Sequence, residues 1–326
     1  MIPLVVILFV QMISAPGVHA AKLVYPRLLQ ERAGEGRLLL RIHDTLILNL
    51  EKASVAAPNL YVHSEESGRP IVDLLDGQEF NDNLYEDADN LATITLLRSG
   101  DSLQVKGLVG PQQRIEPLMN AERSGGGLVA HIIHEISQST GVDKAIPIPE
   151  TGVNALLQAR NAGPTPNIPS NVTVEIFVIT DKPHHGHFKH TSELIAYICV
   201  MLNSVNLRFK KLTMPRVRLL LVGVEKTSAE TFRRGPYGYV HDTQTILQLR
   251  YYAGNNTAKF KHTDILFYIT GYDVVIDDKK TGNISSAGLG IAYVSGLCSQ
   301  FFVGLGEDSA GYYTGVGTMA HEIGHL

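Results

Sequence analysis

Residues 318–326 read TMAHEIGHL and contain the pattern His-Glu-x-x-His. Helical residues four positions apart lie on nearly the same face, so His321 and His325 can direct ring nitrogens at one metal ion. Two imidazoles suit Zn²⁺, which in catalytic sites keeps one position open for a water and lowers the pKa of that water to about 7. Glu322 lies about 100° further round the helix and is predicted to be the general base that accepts a proton from this water. The alternative is two surface histidines beside a solvated glutamate, but the position of the motif after a predicted sheet favours zinc.

The region before this motif alternates between buried strands and helices. Apolar and β-branched runs predict strands at residues 172–180, 217–224, 265–270 and 288–294. Helical spacing predicts helices at residues 192–206, at 242–252 beginning with an Asp242 cap, and from Gly315 onward. This order is typical of an α/β layer with a mixed, largely parallel sheet. We therefore predict an α/β catalytic domain over residues 170–326.

The first part of the chain has a different pattern. Short apolar runs bounded by turn residues predict a β-rich domain over residues 21–146; they lie at 38–42, 45–50, 91–97, 103–109 and 128–133. Residues 147–169 are rich in Pro, Gly, Asn and Ala and are predicted to be a linker.

Several features predict secretion. Residues 1–14 are almost wholly apolar and are followed by small residues up to Ala20, which predicts a signal peptide over residues 1–20. No Lys or Arg precedes the run, so a short buried helix or an anchor is the alternative. Three sequons, at Asn171, Asn255 and Asn283, predict glycosylation. No later stretch is long and apolar enough to span a membrane.

Composition excludes other classes. The formal net charge of −4, with acidic and basic residues mixed, gives no basic stripe for nucleic acid. The two cysteines are too few for a disulfide scaffold, so the fold depends on its core. The sequence does not indicate an oligomeric state.

Residues 287–298, AGLGIAYVSGLC, precede the zinc motif, and the motif itself contains Gly324. Both segments resemble the reprolysins, also called adamalysins, a metzincin family of zinc proteases. In that family the first segment corresponds to the edge strand before the zinc helix. Residues 264–271 and 174–181 are similar to the third and first strands of that family. Residues 24–27, 39–44, 84–87 and 115–118 resemble motifs of the reprolysin propeptide, and the chain as a whole is similar to the reprolysin-like metalloproteases of tick salivary glands.

The resemblance implies a zincin-like fold and a secreted endopeptidase made as a zymogen. It implies that the third zinc ligand lies beyond Leu326, so that this chain ends within its zinc helix and is by itself inactive. It also implies Ca²⁺ bound by Glu175 and Asp264, for which two surface acids are the alternative. Many relatives hold the zymogen inactive with a propeptide cysteine, whereas this chain has no cysteine before Cys199. The partner of Cys298 is expected downstream.

The predicted edge strand suggests how substrates bind. An extended peptide can be added to it by main-chain pairing without demanding a particular sequence, so extracellular proteins or peptides are the expected substrates. The residues assigned to substrate binding are Gly288, Leu289, Gly290, Ile291 and Ala292. A secreted, inactive decoy or binding protein with the same fold is the alternative function.

Two histidine groups are not assigned to metal. His184, His185, His187 and His190 are predicted to lie in a solvated loop between a strand and a helix. His131 and His134 are predicted to lie on a partly exposed strand.

Overall fold

A computed structural model describes residues 21–32, 37–99, 102–118, 128–137, 141, 145–148, 169–228, 230–277 and 283–326. The predicted signal peptide and most of the predicted linker lie outside these residues. Both stay predictions, as do the boundaries of the two domains.

The first sheet is antiparallel and built from nine strands. They are β1 (Lys22–Val24), β2 (Arg27–Arg32), β3 (Arg37–His43), β4 (Leu46–Lys52), β7 (Leu84–Asp87), β8 (Ala92–Ser99), β9 (Ser102–Gly110), β10 (Gln113–Pro117) and β11 (His131–Glu135). Their order is β1-β11-β10-β9-β8-β7-β4-β3-β2. In β3 the alternating residues Leu38, Leu40 and Ile42 are buried, because successive side chains of a strand point to opposite faces. The described residues of this region are mostly in strands, as predicted, while its extent as a domain stays a prediction.

The second sheet has eight strands. They are β5 (Ala56–Glu66), β6 (Arg69–Asp76), β12 (Ala145–Pro147), β13 (Asn171–Thr180), β14 (Arg216–Lys226), β16 (Ile265–Thr270), β19 (Gly290–Val294) and β20 (Val303–Glu307). Their order is β12-β19-β20-β16-β13-β14-β5-β6, with antiparallel pairing only at β19–β20 and β5–β6. The prediction of a mixed, largely parallel sheet is confirmed. Sequence analysis missed β20 and did not place β5, β6 or β12 in this sheet.

The remaining elements are small or helical. The helices are α1 (Gln78–Asn81), α2 (Lys182–His185), α3 (Thr191–Phe209), α4 (Asp242–Asn255) and α5 (Val316–His325). A third, three-stranded sheet contains β15 (Tyr239–His241), β17 (Asp273–Asp277) and β18 (Ile284–Ser285) in the order β15-β17-β18. The predicted Asp242 cap is wrong by one residue, because His241 is the N-cap and Asp242 is the first helical residue of α4. No helix in the described part of the chain has the length and apolar character to cross a membrane.

Helices cover both faces of the second sheet. Val174, Ile176 and Val178 of β13 belong to the core that also contains α3 and α5. Phe177 and Ile179, on the opposite face of the same strand, belong to the core that contains α4. Burial on both faces explains why the central strands are continuous apolar runs in the sequence.

Candidate metal centre and its edge strand

The two histidines of the zinc motif converge on helix α5. The Nε2 atoms of His321 and His325 are 3.0 Å apart, and the ring planes are nearly perpendicular at 88°. Two ligands placed about 2.0–2.1 Å from a tetrahedral zinc ion would be separated by about 3.3 Å, so this donor pair fits zinc. Within the described residues no group of three or more His, Cys, Asp or Glu side chains could hold a metal.

Glu322 lies on a different side of the helix from the histidines. It is only 3% exposed, whereas His321 is exposed and His325 is half-buried. The carboxylate is thus held against the protein beside two more accessible imidazoles. The roles of ligand and base stay predictions.

Two glycines let helix α5 approach the sheet. Gly290 of β19 pairs with Gly306 of β20. A Cβ atom on Gly290 would lie 2.7 Å from Cγ2 of Thr318 and 2.9 Å from Cγ of Glu322, and one on Gly306 would lie 3.1 Å from the same Thr318 atom. The absence of side chains at this pair therefore sets the depth at which Glu322 lies against the sheet.

Hydrogen bonds hold α5 at both ends. At its beginning, the Gly315 N–H donates to Oδ1 of Asp308 at 2.8 Å, which satisfies one of the otherwise unpaired donors of a helix N-terminus. At its end, the carbonyl of His325 accepts from the Ser295 N–H at 2.7 Å. The carbonyl of Leu326 accepts from the Leu297 N–H at 3.1 Å. The loop after β19 therefore fixes the end of the helix that carries the histidines.

Asp308 is the centre of a buried polar network. Its Oδ2 accepts from the Tyr197 hydroxyl at 2.8 Å and lies 2.9 Å from Nε2 of His184. Burial, reinforced by the Asp308 charge, raises the pKa of Tyr197, so the phenol stays protonated and can donate. The Tyr197 oxygen accepts in turn from the Tyr313 N–H at 2.7 Å. The network connects α2 and α3 to the start of α5.

A second buried carboxylate lies nearby. Asp181 accepts from the Tyr268 hydroxyl at 2.8 Å, from the Thr270 hydroxyl at 2.6 Å, and from the backbone N–H groups of His184 and Gly271 at 3.0 Å each. Burial is the main cause of the raised pKa of Tyr268. Sequence analysis assigned no role to Asp181 or Asp308. For Asp181 a signal was available, because it directly follows Thr180, the last residue of the predicted strand that became β13. For Asp308 there was none, because the strand before it, β20, was not predicted.

The outer edge of β19 is occupied in this structure. Ala145, Ile146 and Pro147 of β12 lie opposite Ala292, Tyr293 and Val294 in parallel register. The predicted substrate-binding residues Gly290, Leu289, Gly288, Ile291 and Ala292 do lie on or directly before β19. The start predicted for this strand, Gly288, is two residues earlier than the observed one.

Sequence comparison shows which known proteins this chain is similar to. The family described as Metallo-peptidase family M12B Reprolysin-like matches residues 195–326. The venom metalloproteinase antarease-like TserMP_B of Tityus serrulatus is 30% identical over 164 residues, which are 48% of this chain and 69% of the relative.

The chain belongs to the reprolysin-like metallopeptidases. Venom metalloproteinase antarease TserMP_A of Tityus serrulatus is 28% identical over 262 residues, and venom metalloproteinase BumaMPs1 of Olivierus martensii is 25% identical over 333 residues. The alignment with BumaMPs1 covers 99% of this chain and 82% of the relative. With TserMP_A it covers 77% of this chain and spans 65% of the length of that relative. The similarity to tick salivary enzymes stays a prediction.

The two predicted calcium ligands, Glu175 and Asp264, are joined by hydrogen bonds to the Glu175 backbone. Oδ2 of Asp264 accepts from the Glu175 N–H at 2.8 Å, and the Asp264 N–H donates to the Glu175 carbonyl at 2.8 Å. One Asp264 oxygen is therefore already engaged in joining β13 to the start of β16. The calcium site stays a prediction.

The predicted glycosylation sites and the two cysteines differ in how exposed they are. Asn171, Asn255 and Asn283 are all exposed, as glycosylation would require, but modification stays a prediction. Cys199 is buried in the core that contains α3, and burial raises its pKa to about 12. Cys298 is exposed and forms no disulfide with Cys199.

The histidine-rich segment is only partly a solvated loop. His187 and His190 are exposed, as predicted. His184, in contrast, is fully buried against Asp308, so the loop prediction is wrong for this residue. The reason is long-range, because its partner carboxylate is 124 positions away in the sequence.

Proposed function

We propose that this protein is a secreted, zinc-dependent endopeptidase that is made as a precursor and cleaves extracellular proteins. The observation that carries the proposal is the convergence of His321 and His325, with Nε2 atoms 3.0 Å apart, on a helix that also holds the buried Glu322. The family and its venom metalloproteinase relatives support a protease, and the venom origin of those relatives supports secretion.

The residues of this chain have distinct tasks in the proposed reaction. His321 and His325 hold the ion, with a third protein ligand supplied from beyond Leu326. Zinc, when bound, supplies a Lewis acid for the scissile carbonyl and lowers the pKa of a coordinated water to about 7. Glu322 accepts a proton from the attacking water and then delivers it to the leaving amine. Residues Gly288 to Ala292 hold the substrate in an extended conformation through main-chain hydrogen bonds.

The direct test is proteolysis by the processed, full-length protein. We expect cleavage of internal bonds in casein or gelatin, loss of cleavage with a zinc chelator, recovery on adding zinc, and no effect of serine-protease inhibitors. A His325→Ala preparation made in parallel controls for contaminating host proteases. Cleavage that persists after exhaustive zinc removal would contradict the proposal.

The second candidate is a secreted, inactive binding protein with the same fold. Sequencing the 3′ end of the transcript separates the two. A continuation with Gly two residues after Leu326 and His three residues after that glycine supports the enzyme, and a stop codon directly after Leu326 supports the binding protein.

A further inference from the structure

Tyr237 is the most exposed large apolar or aromatic side chain in the described part of the chain, at 96%. It lies in a turn in which the Tyr239 N–H donates to the Pro236 carbonyl at 3.1 Å. Gly238 has a φ of +84°, the left-handed conformation that the third residue of a type II turn requires. We call residues 236–239 the Tyr237 turn. Its ring is available to a binding partner over nearly its whole surface.

Hydrogen bonds fix both limbs of the Tyr237 turn to the body of the protein. Before the turn, the Arg234 N–H donates to the Thr245 hydroxyl at 3.0 Å, and this hydroxyl donates to the Arg234 carbonyl at 3.1 Å. At its end, the Tyr239 carbonyl accepts from Nη1 of Arg233 at 2.9 Å. Because the turn is already held in place, a partner that covers the ring orders few additional groups, and binding loses little conformational entropy.

The small sheet of β15, β17 and β18 connects the Tyr237 turn to the start of β19. Tyr239 ends the turn and begins β15, where it lies opposite Asp273 of β17. The next pair in this register is Val240 opposite Val274. A Cβ atom on Gly288 would lie 2.9 Å from the Val274 carbonyl oxygen. β17 therefore contacts both the strand that carries the turn and the first of the residues predicted to bind substrate.

The spacing of these elements sets how long a substrate must be to reach the turn. Neighbouring strands are about 4.8 Å apart, so β15 lies about 10 Å from Gly288, and the Tyr237 backbone, two residues before Tyr239, lies at most about 7 Å further. An extended chain advances about 3.4 Å per residue, so about five residues bridge this distance. Counted from Gly290, where the Glu322 side chain approaches β19, about seven residues are needed.

Arg234 adds a positive charge next to this turn. The residue is exposed, and its guanidinium donates to the carbonyls of Thr231 and Arg233 at 2.8 and 2.9 Å and to Oε1 of Gln248 at 3.0 Å. These acceptors are neutral, so they orient the guanidinium without offsetting its charge. Tyr and Arg are enriched among the side chains that contribute most to protein–protein binding. The surface therefore fits an extended polypeptide that presents an apolar side chain close to a carboxylate.

We propose that the Tyr237 turn is an exosite, a binding surface for protein substrates outside the residues that hold the cleaved bond. This inference rests on the proposed protease function and names a second contact that the same substrate makes. A substrate chain that pairs with β19 continues past Gly288 and β17 and covers the Tyr237 ring. The contact strengthens the binding of proteins and long peptides and takes no part in bond cleavage.

Two quenched peptides with the same central segment of about six residues test the exosite in the processed, full-length protein. The long peptide extends this segment by about ten residues on each side, with apolar and acidic side chains, which exceeds the reach of about seven residues that the strand spacing requires. Tyr237→Ala should lower kcat/KM for the long peptide and for casein at least about fivefold, mainly through KM, and change that of the short peptide less than about twofold.

Tyr251→Ala is the matched control, because it removes another exposed ring, 50% accessible on α4, and should leave both peptides within about twofold of the wild type. Tyr237→Phe keeps the ring and should retain most of the preference for the long peptide. Equal losses for the two peptides in Tyr237→Ala would mean that the substitution acts on the fold or the catalytic site, and would overturn the proposal. An unchanged rate for the long peptide and casein would overturn it as well.

Two further outcomes separate this proposal from its alternatives. If size-exclusion chromatography shows that Tyr237→Ala dissociates an oligomer of the wild type, the turn joins copies of this chain and the substrate assignment is overturned. A wild-type protein that cleaves neither peptide nor casein would overturn the protease function, and the exosite with it. Cleavage by the wild type with the same peptide preference in Tyr237→Ala would overturn the exosite alone.

Discussion

Nε2 of His184 lies 2.9 Å from Oδ2 of Asp308, and the two side chains are 0% and 1% exposed. The same carboxylate accepts from the Tyr197 hydroxyl and from the Gly315 N–H at the start of α5. The position of the zinc-motif helix thus depends on a buried acid 13 residues before His321, the difference between positions 308 and 321.

Removing this acid should destabilise the protein. Asp308→Ala leaves His184, Tyr197 and the Gly315 N–H without their partner, and breaking such a buried pair costs about 3–5 kcal/mol of unfolding free energy. Urea denaturation measures the loss. Ser309→Ala changes an exposed neighbour and should stay within about 0.5 kcal/mol of the wild type. A loss below about 1 kcal/mol for Asp308→Ala would show that the network does not hold α5.

Alanine substitutions at two glycines near α5 should change the stability of the protein in opposite directions. Gly290→Ala places a Cβ atom 2.7 Å from the Leu305 carbonyl oxygen, which is backbone, and should cost about 1–3 kcal/mol through overpacking. Gly317→Ala, within α5, meets no atom within 4 Å and should stabilise the helix by up to about 1 kcal/mol. Thermal unfolding of both variants checks the pair. If both substitutions shifted the melting temperature in the same direction, the conclusion that Gly290 has no room for a side chain would be wrong.

The central strands could be predicted because both of their faces are buried. Residues 265–270 were predicted as a strand with the bounds that β16 has, and all six are buried. β20 was missed because its sequence VGLGE contains two glycines and resembles a loop. Gly306 leaves room for Thr318 of α5. Because α5 follows β20 in the chain, the local sequence does not show why a glycine is needed there.

The site could be predicted in part. Spacing alone predicted that His321, Glu322 and His325 share one helix, because the helix repeat fixes their relative directions. Asp308, His184 and β12 could not be predicted, because their partners are far away in the sequence. Pairing of β12 with β19 in particular joins residues 147 positions apart, the difference between Ala145 and Ala292.

His131 should make the first sheet sensitive to acid. The ring is buried, its Nδ1 donates to the Val129 carbonyl, and its Nε2 accepts from the Val105 N–H, each at 2.9 Å. This pattern requires the neutral ring, and burial lowers the pKa of His131 below 6.5. Above pH 6.5 neither the folded nor the unfolded state binds the proton, so this contribution to stability is complete.

As the pH falls below 6.5 the unfolded state takes up a proton that the folded state does not, so stability decreases. Protonation of this one group changes the free energy of unfolding by at most about 1.4 kcal/mol per pH unit. Urea denaturation midpoints at pH 7 and pH 5 measure this loss of stability. His131→Gln should reduce the difference between the two midpoints. The control His134→Gln, at a half-buried position of the same strand, should reduce it less. Equal pH dependence in the wild type and in His131→Gln would contradict this assignment.

The last prediction separates the proposed base from the proposed ligands. In the processed, full-length protein, Glu322→Gln preserves the shape of a side chain that is 3% exposed and packed against Gly290, but the amide cannot accept a proton from water. General-base catalysis typically contributes about 10²- to 10⁴-fold, so turnover should fall by at least about 100-fold with zinc content near one per chain. His325→Ala should lose zinc and activity together. Loss of zinc from Glu322→Gln, measured by metal analysis, would make the carboxylate a ligand or a structural support. Full activity of the same variant would place the base elsewhere and leave α5 as a metal-holding helix only.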